Sequence, residues 1–376
     1  MMPSSRPDLY IGLMSGTSMD SIDAVLVDFS GNHPALISTH SHRWPEMLQQ
    51  ALLAARGIPD DELDTLSSLD MQAAAVFAEA CSQLLQKTSY QAQHIKAIGS
   101  HGQTIRHRPD IDNPFSLQIG NAQQLARLTG IDVISDFRTA DIKAGGQGAP
   151  LAPAFHQAVF RHEKKNRIIV NIGGISNITI LPADSHQAVT GFDCGPGNTL
   201  MDAWISRQQQ LPYDADGALA AAGKTNAGLL ARLLMDEYFQ LAPPKSTGFE
   251  YFNMEWLDEH IDSEISVADV QSTLCSLTAT SIIRAINEHA PDTDEIYICG
   301  GGVHNKVLMN RIQALTRCPV ETTETLGVHP DWVEAMAFAW LAYQNEHQRA
   351  GNLPSVTGAD SAVVLGKKTL TGQAAA

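Results

Sequence analysis

Apolar positions in this chain fall into short continuous runs, one set near the start and a second near the middle. Leu9 to Met14 and Ala24 to Phe29 are two such runs, separated by Ser15, Gly16, Thr17 and Ser18. Apolar runs of about four to eight residues bounded by small polar ones predict buried strands, here the two arms of a hairpin. Asp60 is placed to cap a helix reaching about Gln86, because apolar residues from Leu63 to Ala80 recur at helical spacing. Further strands are expected at Ile95 to Gly99, Phe115 to Ile119 and Ile131 to Ser135, with Asn121 capping a helix through Leu128. The segment from Ala144 to Pro153 is rich in Gly and Pro and predicts a loop or hinge between domains.

The second half begins like the first. Arg167 to Ile172 predicts a strand, Gly173 to Asn177 a tight turn, and Ile178 to Leu181 a returning strand. Glu295 to Cys299 then runs into Gly300-Gly301-Gly302-Val303-His304-Asn305, as Ile95 to Gly99 runs into Ser100-His101-Gly102-Gln103-Thr104. Long helices are expected at Val267 to His289 and Asp331 to His347. A last strand is expected at Ala362 to Gly366, with fraying after Leu370. The layout predicts an α/β protein of two halves built on one plan, although no residue-level repeat accompanies it. The domains are expected at residues 1–138, joined by 350–376, and at residues 139–349.

Composition narrows the function. The chain has 376 residues, more than one hydrophobic core usually holds, and a formal charge of −16. That charge argues against a nucleic-acid surface, and an anionic substrate would need a local binding device. The N-terminus lacks the pattern of a signal peptide, and no apolar run is long enough for a membrane span. Five scattered cysteines without a CxxC pair suit reduced thiols in a cytoplasmic protein.

The first hairpin turn carries candidate phosphate chemistry. Gly16 allows close approach of its backbone N–H to an anion, and Ser15, Thr17 and Ser18 add hydroxyl donors. Asp20 and Asp23 follow, and a carboxylate beside a phosphate site suggests Mg²⁺ between them, held by Asp20 directly or through water. An ordinary Ser/Gly/Thr turn explains the same residues. Gly173-Gly174 returns as a strand, so it is not a dinucleotide fingerprint, and the chain has no GxxxxGK[ST] motif. Two small-residue turns plus the Gly300–Gly302 loop suit an extended phosphate chain with its nucleoside, lying in a cleft between domains. Asp193, in Phe192-Asp193-Cys194-Gly195-Pro196-Gly197-Asn198, is expected at a strand end, as a general base or alternatively a turn carboxylate. His101 and Gln103 are candidates for a sugar or phosphate, or His101 is a structural loop histidine. Arg138 and Lys143, flanking Asp141, are candidates for a carboxylate or for surface ion pairs. Glu334 stands in an otherwise apolar helix, where burial calls for a partner such as a substrate hydroxyl, or marks helix-start electrostatics.

These residues resemble the anhydro-N-acetylmuramic acid kinases. The resemblance rests on GLMSGTSMDSIDAVLVDF, GSHGQTIRHRP, LQIGN, SDFRTADIKAGGQGAPLAPAFH, VNIGGISNIT, GFDCGPGN, PKSTGFEYFN and ICGGGVHN, spread over almost the whole chain. It implies the acetate and sugar kinase/Hsp70/actin architecture, two ribonuclease-H-like domains flanking an ATP cleft. It further implies that Gly16, Thr17, Ser18, Met19, Asp20, Ser21, Ile22 and Asp23 bind ATP, with Gly173, Gly174 and Asn177 as the second phosphate turn. Gly300, Gly301, Gly302 and Asn305 would lie near the nucleoside, Asp193 would be the catalytic base, and His101, Gln103, Arg138 and Glu334 would serve the sugar. Two departures are visible: Ser21 stands where the family usually has Gly, and Phe249 where Arg is common.

The implied partners are ATP, Mg²⁺ and a small amino sugar, with a homodimer as the family expectation. The implied reaction opens the 1,6-anhydro bridge with water and phosphorylates oxygen 6, giving N-acetylmuramic acid 6-phosphate in peptidoglycan recycling. Another sugar or acid kinase of the superfamily is the nearest alternative. A nucleotide-driven chaperone or filament protein is a second, and the chain ends too soon for its peptide-binding domain. A non-catalytic sugar-binding module explains neither the phosphate turns nor Asp193.

Overall fold

The computed structural model describes residues 7–16, 19–57, 63–109, 111–262 and 264–372. Thr17, Ser18 and the expected cap Asp60 lie outside the described residues. The chain divides into two compact units, residues 1–155 with 334–376, and residues 156–333.

The first unit is built on a six-stranded sheet. Its strands are β1 (Leu9–Ser15), β2 (Ser21–Asp28), β3 (Ala35–Arg43), β4 (Ile95–Ser100), β7 (Val133–Ser135) and β13 (Lys367–Thr369), in the order β13-β7-β4-β1-β2-β3. β5 (Gln103–Arg108) and β6 (Phe115–Ile119) form a separate hairpin. β1 and β2 pair antiparallel in unbroken register from Leu9↔Asp28 to Ser15↔Ile22, so the expected first hairpin is present. The Val333–Glu346 helix is apolar nearly all round and largely buried, as a helix inside a core must be. It lies directly on the sheet. A Cβ at Gly12 of β1 would run into the carbonyl of Ala335, and one at Gly99 of β4 into that of Phe338. Both glycines are there because two backbones touch.

The second unit carries β8 (Arg167–Ile172), β9 (Ile175–Leu181), β10 (Thr190–Pro196), β11 (Glu295–Cys299) and β12 (Val320–Thr322), in the order β10-β9-β8-β11-β12. Its core gathers Ile168, Val170, Phe192 and Ile298 from the sheet against the long Val267–His289 helix, which Ser266 caps through the backbone N–H of Asp269. The strand order shows the duplication that the residues hid. β3-β2-β1-β4-β7 and β10-β9-β8-β11-β12 are the same order, with two antiparallel pairs followed by two parallel ones in each. This is the two-domain ribonuclease-H-like α/β architecture.

Several expectations are corrected. β3, the Glu46–Ala55 helix and β5 were not legible, since ALISTHSHR and QTIRHR are too polar to read as strands. β9 starts at Ile175, so the turn shrinks to Gly173-Gly174. Asp193 lies inside β10 rather than at a strand end, next to a register shift between Asp193 and Gly195. The last strand is Lys367–Thr369 rather than 362–366. Gly366 takes φ +88° and turns the chain, and pairing with β7 selects the residues after it. The unit boundaries fall after Phe155 and Val333, where the sequence reading has Arg138 and Arg349. The 139–155 stretch stays with the first unit because the buried Asp141 carboxylate accepts from Asn352 Nδ2 and Thr357 Oγ1, both at 2.7 Å.

Candidate functional site

In the first unit, tertiary contacts hold the β1–β2 turn in shape. Ser15 Oγ donates to the Ser21 carbonyl and accepts from Trp44 Nε1, both at 3.1 Å. Gln103 is fully buried, and its Nε2 donates to the Gly16 carbonyl at 3.3 Å. Gln49 Nε2 donates to the Met19 carbonyl at 2.7 Å, and Met19 takes a left-handed φ of +56°. Met19 and Ile22 send their side chains into the core, so any ligand contact from them is through backbone. Asp20 is exposed, while Ser21 and Asp23 are half-buried, with Ser21 Oγ donating to Asp23 Oδ1 at 3.4 Å. A Cβ at Gly16 would meet nothing within 4 Å. Among the described residues, the space beside Gly16 is therefore open, as an approaching anion requires.

Close to this turn in the same unit is a polar group on β4, the Phe137–Lys143 helix and the Val333–Glu346 helix. Arg138 Nη2 donates to His101 Nε2 at 2.9 Å, and Nη1 donates to the Gly148 carbonyl at 3.0 Å. Burial, and then the neighbouring guanidinium, hold His101 down at about 3, so it is a neutral imidazole whose proton is on Nδ1. Burial also lowers Arg138 to about 10, opposed by the charge of Glu334. Glu334 itself is raised by burial and by Asp23, with Arg138 pulling the other way. Among the described residues, Ser100 Oγ, Gln103 Oε1 and Arg138 Nε are buried without a hydrogen-bond partner. Unsatisfied polar atoms gathered in one small region are costly in a finished core and suit the approach of a polar ligand. Asp141 does not join this group at a ligand. It accepts from the Gly148 backbone N–H at 2.7 Å and is a structural brace.

In the second unit, Gly173-Gly174 is stitched to the turn after β10. The Gly174 carbonyl accepts from the N–H groups of Gly197 at 2.8 Å and Thr199 at 3.0 Å, and the Gly173 carbonyl from Asn198 at 2.8 Å. Neighbouring strands pair Asp193 with Asn177 and Asn177 with Asn171. Residues directly opposite in antiparallel strands share a face, so three polar side chains form a row across the sheet. Gly300 has φ +81°, and a Cβ there would strike Asn171 Oδ1. Gly302 packs equally tightly on Ile172, whereas Gly301 faces open space. Asn305 is occupied as a helix cap, its Oδ1 accepting from Leu308 N at 3.0 Å.

Asp193 is a strongly perturbed carboxylate. Its Oδ2 accepts from the Thr247 backbone N–H at 3.0 Å, its own N–H donates to the Lys245 carbonyl at 3.1 Å, and Tyr238 Oη donates to its carbonyl at 2.8 Å. Burial raises its pKa to about 7, with the Thr247 N–H opposing and the charge of Glu250 adding to the rise. A carboxylate that titrates near neutrality is suited to moving a proton at physiological pH.

These site features coincide with a family. The model of the family described as anhydro-N-acetylmuramic acid kinase matches residues 8–371. The chain belongs to that family. It is 50% identical over 365 residues to the anhydro-N-acetylmuramic acid kinase of Shewanella frigidimarina (strain NCIMB 400), covering 96% of this chain and 98% of that one. Against the protein of the same name from Shewanella baltica (strain OS223) the figures are 51% over 364 residues, 95% and 97%. Against that of Coxiella burnetii (strain RSA 493 / Nine Mile phase I) they are 46% over 367 residues, 97% of each. The activity is accordingly that of a kinase acting on anhydro-N-acetylmuramic acid, in the recycling of cell-wall sugar. Among the described residues, no helix is long and apolar enough to cross a membrane.

For an anhydro-N-acetylmuramic acid kinase, the expected residues sort by unit. Gly16, Met19 to Asp23, His101, Gln103, Arg138 and Glu334 are in the first, and Gly173, Gly174, Asn177, Asp193, Gly300 to Gly302 and Asn305 in the second. Gln103 braces the Gly16 turn, a role its position in the sequence did not reveal. Three features were missed: Ser100, Trp44 behind Ser15, and the 245–250 strap on Asp193. The strap's PKSTG stretch was visible as a motif, but nothing in the sequence linked it to Asp193 some fifty residues earlier.

Proposed function

We propose that this kinase uses ATP and couples two bond changes at one sugar, with Asp193 as the base. In 1,6-anhydro-N-acetylmuramate, oxygen 6 is tied to carbon 1 and has no proton to lose, so an ordinary hydroxyl-activating base has nothing to do there. Asp193 takes a proton from water, whose oxygen bonds to carbon 1 as the carbon 1–oxygen 6 bond breaks. Oxygen 6 keeps that electron pair and receives the γ-phosphoryl group, and the bond to ADP breaks. The observation that carries this reading is the Asp193 carboxylate, half-buried, oriented by the Thr247 N–H and titrating near neutrality.

The supporting groups follow from what each can offer. The open Gly16 turn suits the phosphates, with Thr17 and Ser18 in the same role. The Gly173-Gly174 turn suits a second phosphate contact and the Gly300–Gly302 loop the nucleoside. Arg138 suits the sugar's carboxylate, a guanidinium fork being matched to that group, and His101 and Glu334 suit its hydroxyl and amide groups. Mg²⁺, when bound, neutralises phosphate charge. Among the described residues, no three His, Cys, Asp or Glu side chains converge as a metal cage. An ion held mainly by phosphates and water needs none, and the exposed Asp20 fits as its single carboxylate, directly or through water. Cytoplasmic location and a homodimer belong to the same proposal.

Isotopically heavy water tests it. Reaction in such water, quenched early, places label on the anomeric oxygen above the level reached by product incubated alone, and none in phosphate. Label in inorganic phosphate identifies a plain ATPase, and label in neither product an ordinary sugar kinase; either outcome refutes the coupled mechanism.

A further inference from the structure

Each turnover leaves a proton on Asp193. Water loses it, oxygen 6 departs without one and takes up phosphorus instead, so above neutrality one proton per cycle must reach solvent. Asp193 is half-buried, and its Oδ2 is engaged by the Thr247 N–H. The same strap supplies an exposed carboxylate three residues on. Glu250 folds back so that both its carboxylate oxygens lie against Gly248, where a Cβ would collide with them. Gly248 follows Thr247 directly, so the Glu250 carboxylate lies beside the strap residue next to the one whose N–H holds Asp193.

We propose that Glu250 is the proton exit of the site: it accepts the proton from the Asp193 carboxyl group, directly or along water, and passes it to solvent. The proposal rests on the reading of Asp193 as base. The O–H bond on Asp193 breaks, one forms on Glu250, and Asp193 is again a carboxylate for the next water. No oxidant or further reactant is needed.

Electrostatics agrees with the geometry. The charge of Glu250 is felt at Asp193 and favours its protonated form. The other ionisable groups around Asp193 are poor acceptors. Tyr238 and Cys194 are pushed far up by burial and by Asp193 itself, and neither yields its proton. Lys245 places its Nζ on the Tyr238 carbonyl at 3.1 Å and over the Tyr238 ring; burial lowers its pKa, with Cys194 and Glu288 opposing. Glu250 is the exposed carboxylate whose charge is felt at Asp193.

The test uses the full-length enzyme with ATP and the anhydro sugar, and compares Glu250→Gln with Asp193→Asn. Glu250→Gln is expected to keep the wild-type melting temperature and KM while kcat falls at least about tenfold, near the low end of proton-transfer contributions. Imidazole, a small diffusible proton acceptor, restores its kcat with rising concentration and leaves the wild type unchanged. The acid limb of kcat/KM also moves to lower pH. An unchanged kcat, or a fall that imidazole does not reverse, overturns the proposal. If Asp193→Asn is inactive while Glu250→Gln turns over normally, only the exit is wrong. If Asp193→Asn itself turns over normally, the base assignment fails first.

Discussion

Asp193→Asn separates catalysis from stability in one substitution. An Asn Oδ1 still accepts the Thr247 N–H, and the backbone ties to Lys245 and Tyr238 are untouched, so the fold persists. Catalysis should fall by about 10²–10⁴-fold, the usual contribution of a positioned base. With a pKa of about 7, wild-type Asp193 is about one-tenth ionised at pH 6 and about nine-tenths at pH 8, so kcat/KM should rise about tenfold between them. Stability moves the opposite way. The folded-state value lies above the ordinary 3.8, so as pH rises through that interval the unfolded chain ionises first and the folded form loses stability. A shift of about three units corresponds to a ceiling of about 4 kcal/mol, complete above pH 7 and absent below about 4. Asn carries no such penalty. The variant should therefore melt above wild type at pH 8 and level with it near pH 4, by calorimetry or circular dichroism. A variant that is inactive yet no more stable at pH 8 would refute the claim that burial of this carboxylate sets its titration. A variant that is stabilised yet active would move the base elsewhere, with Glu334 next in line.

Four further outcomes are expected. Gly16→Val should leave the melting temperature nearly unchanged, because a side chain there meets open space among the described residues, yet weaken ATP far more than the anhydro sugar in calorimetric titration. Gln103→Leu removes the donor to the Gly16 carbonyl and should cost about 1–3 kcal/mol in denaturant unfolding, with a loss of ATP affinity beside it. Gly300→Ala should destabilise the second unit by more than about 1 kcal/mol, since φ is +81° and Asn171 and Ile172 block the methyl, seen as a lowered melting temperature. Buried His156, like His101, is held down to about 3, so the unfolded chain gains protons first and stability falls as pH drops below about 6.5. His156→Asn should reduce that acid slope in melts between pH 6.5 and 4.

What the sequence determined by itself is local. The β1–β2 hairpin, the strands Arg167–Ile172 and Glu295–Cys299 and the Val267–His289 helix were legible because each buries an apolar run whose period matches its geometry. The Gly16 and Gly173-Gly174 turns were legible because small residues interrupt two apolar runs there. The duplicated plan showed as layout. Only the tertiary structure decided the rest. β3 is a strand because β2 offers it an edge, and β13 falls on Lys367–Thr369 because β7 does, although neither sequence is apolar enough to announce itself. The first boundary moved to Phe155 because Asp141 is held by Asn352 and Thr357, partners more than two hundred residues distant that no local pattern records, and the second to Val333 because the Val333–Glu346 helix lies on β1 and β4. Likewise, the sequence named Asp193 but not its state. Its titration near neutrality comes from burial, from the Thr247 N–H and from Glu250, all brought to it by folding. Residue type fixes what a group can do; the free energy of its charged form is set by neighbours that only the folded chain supplies.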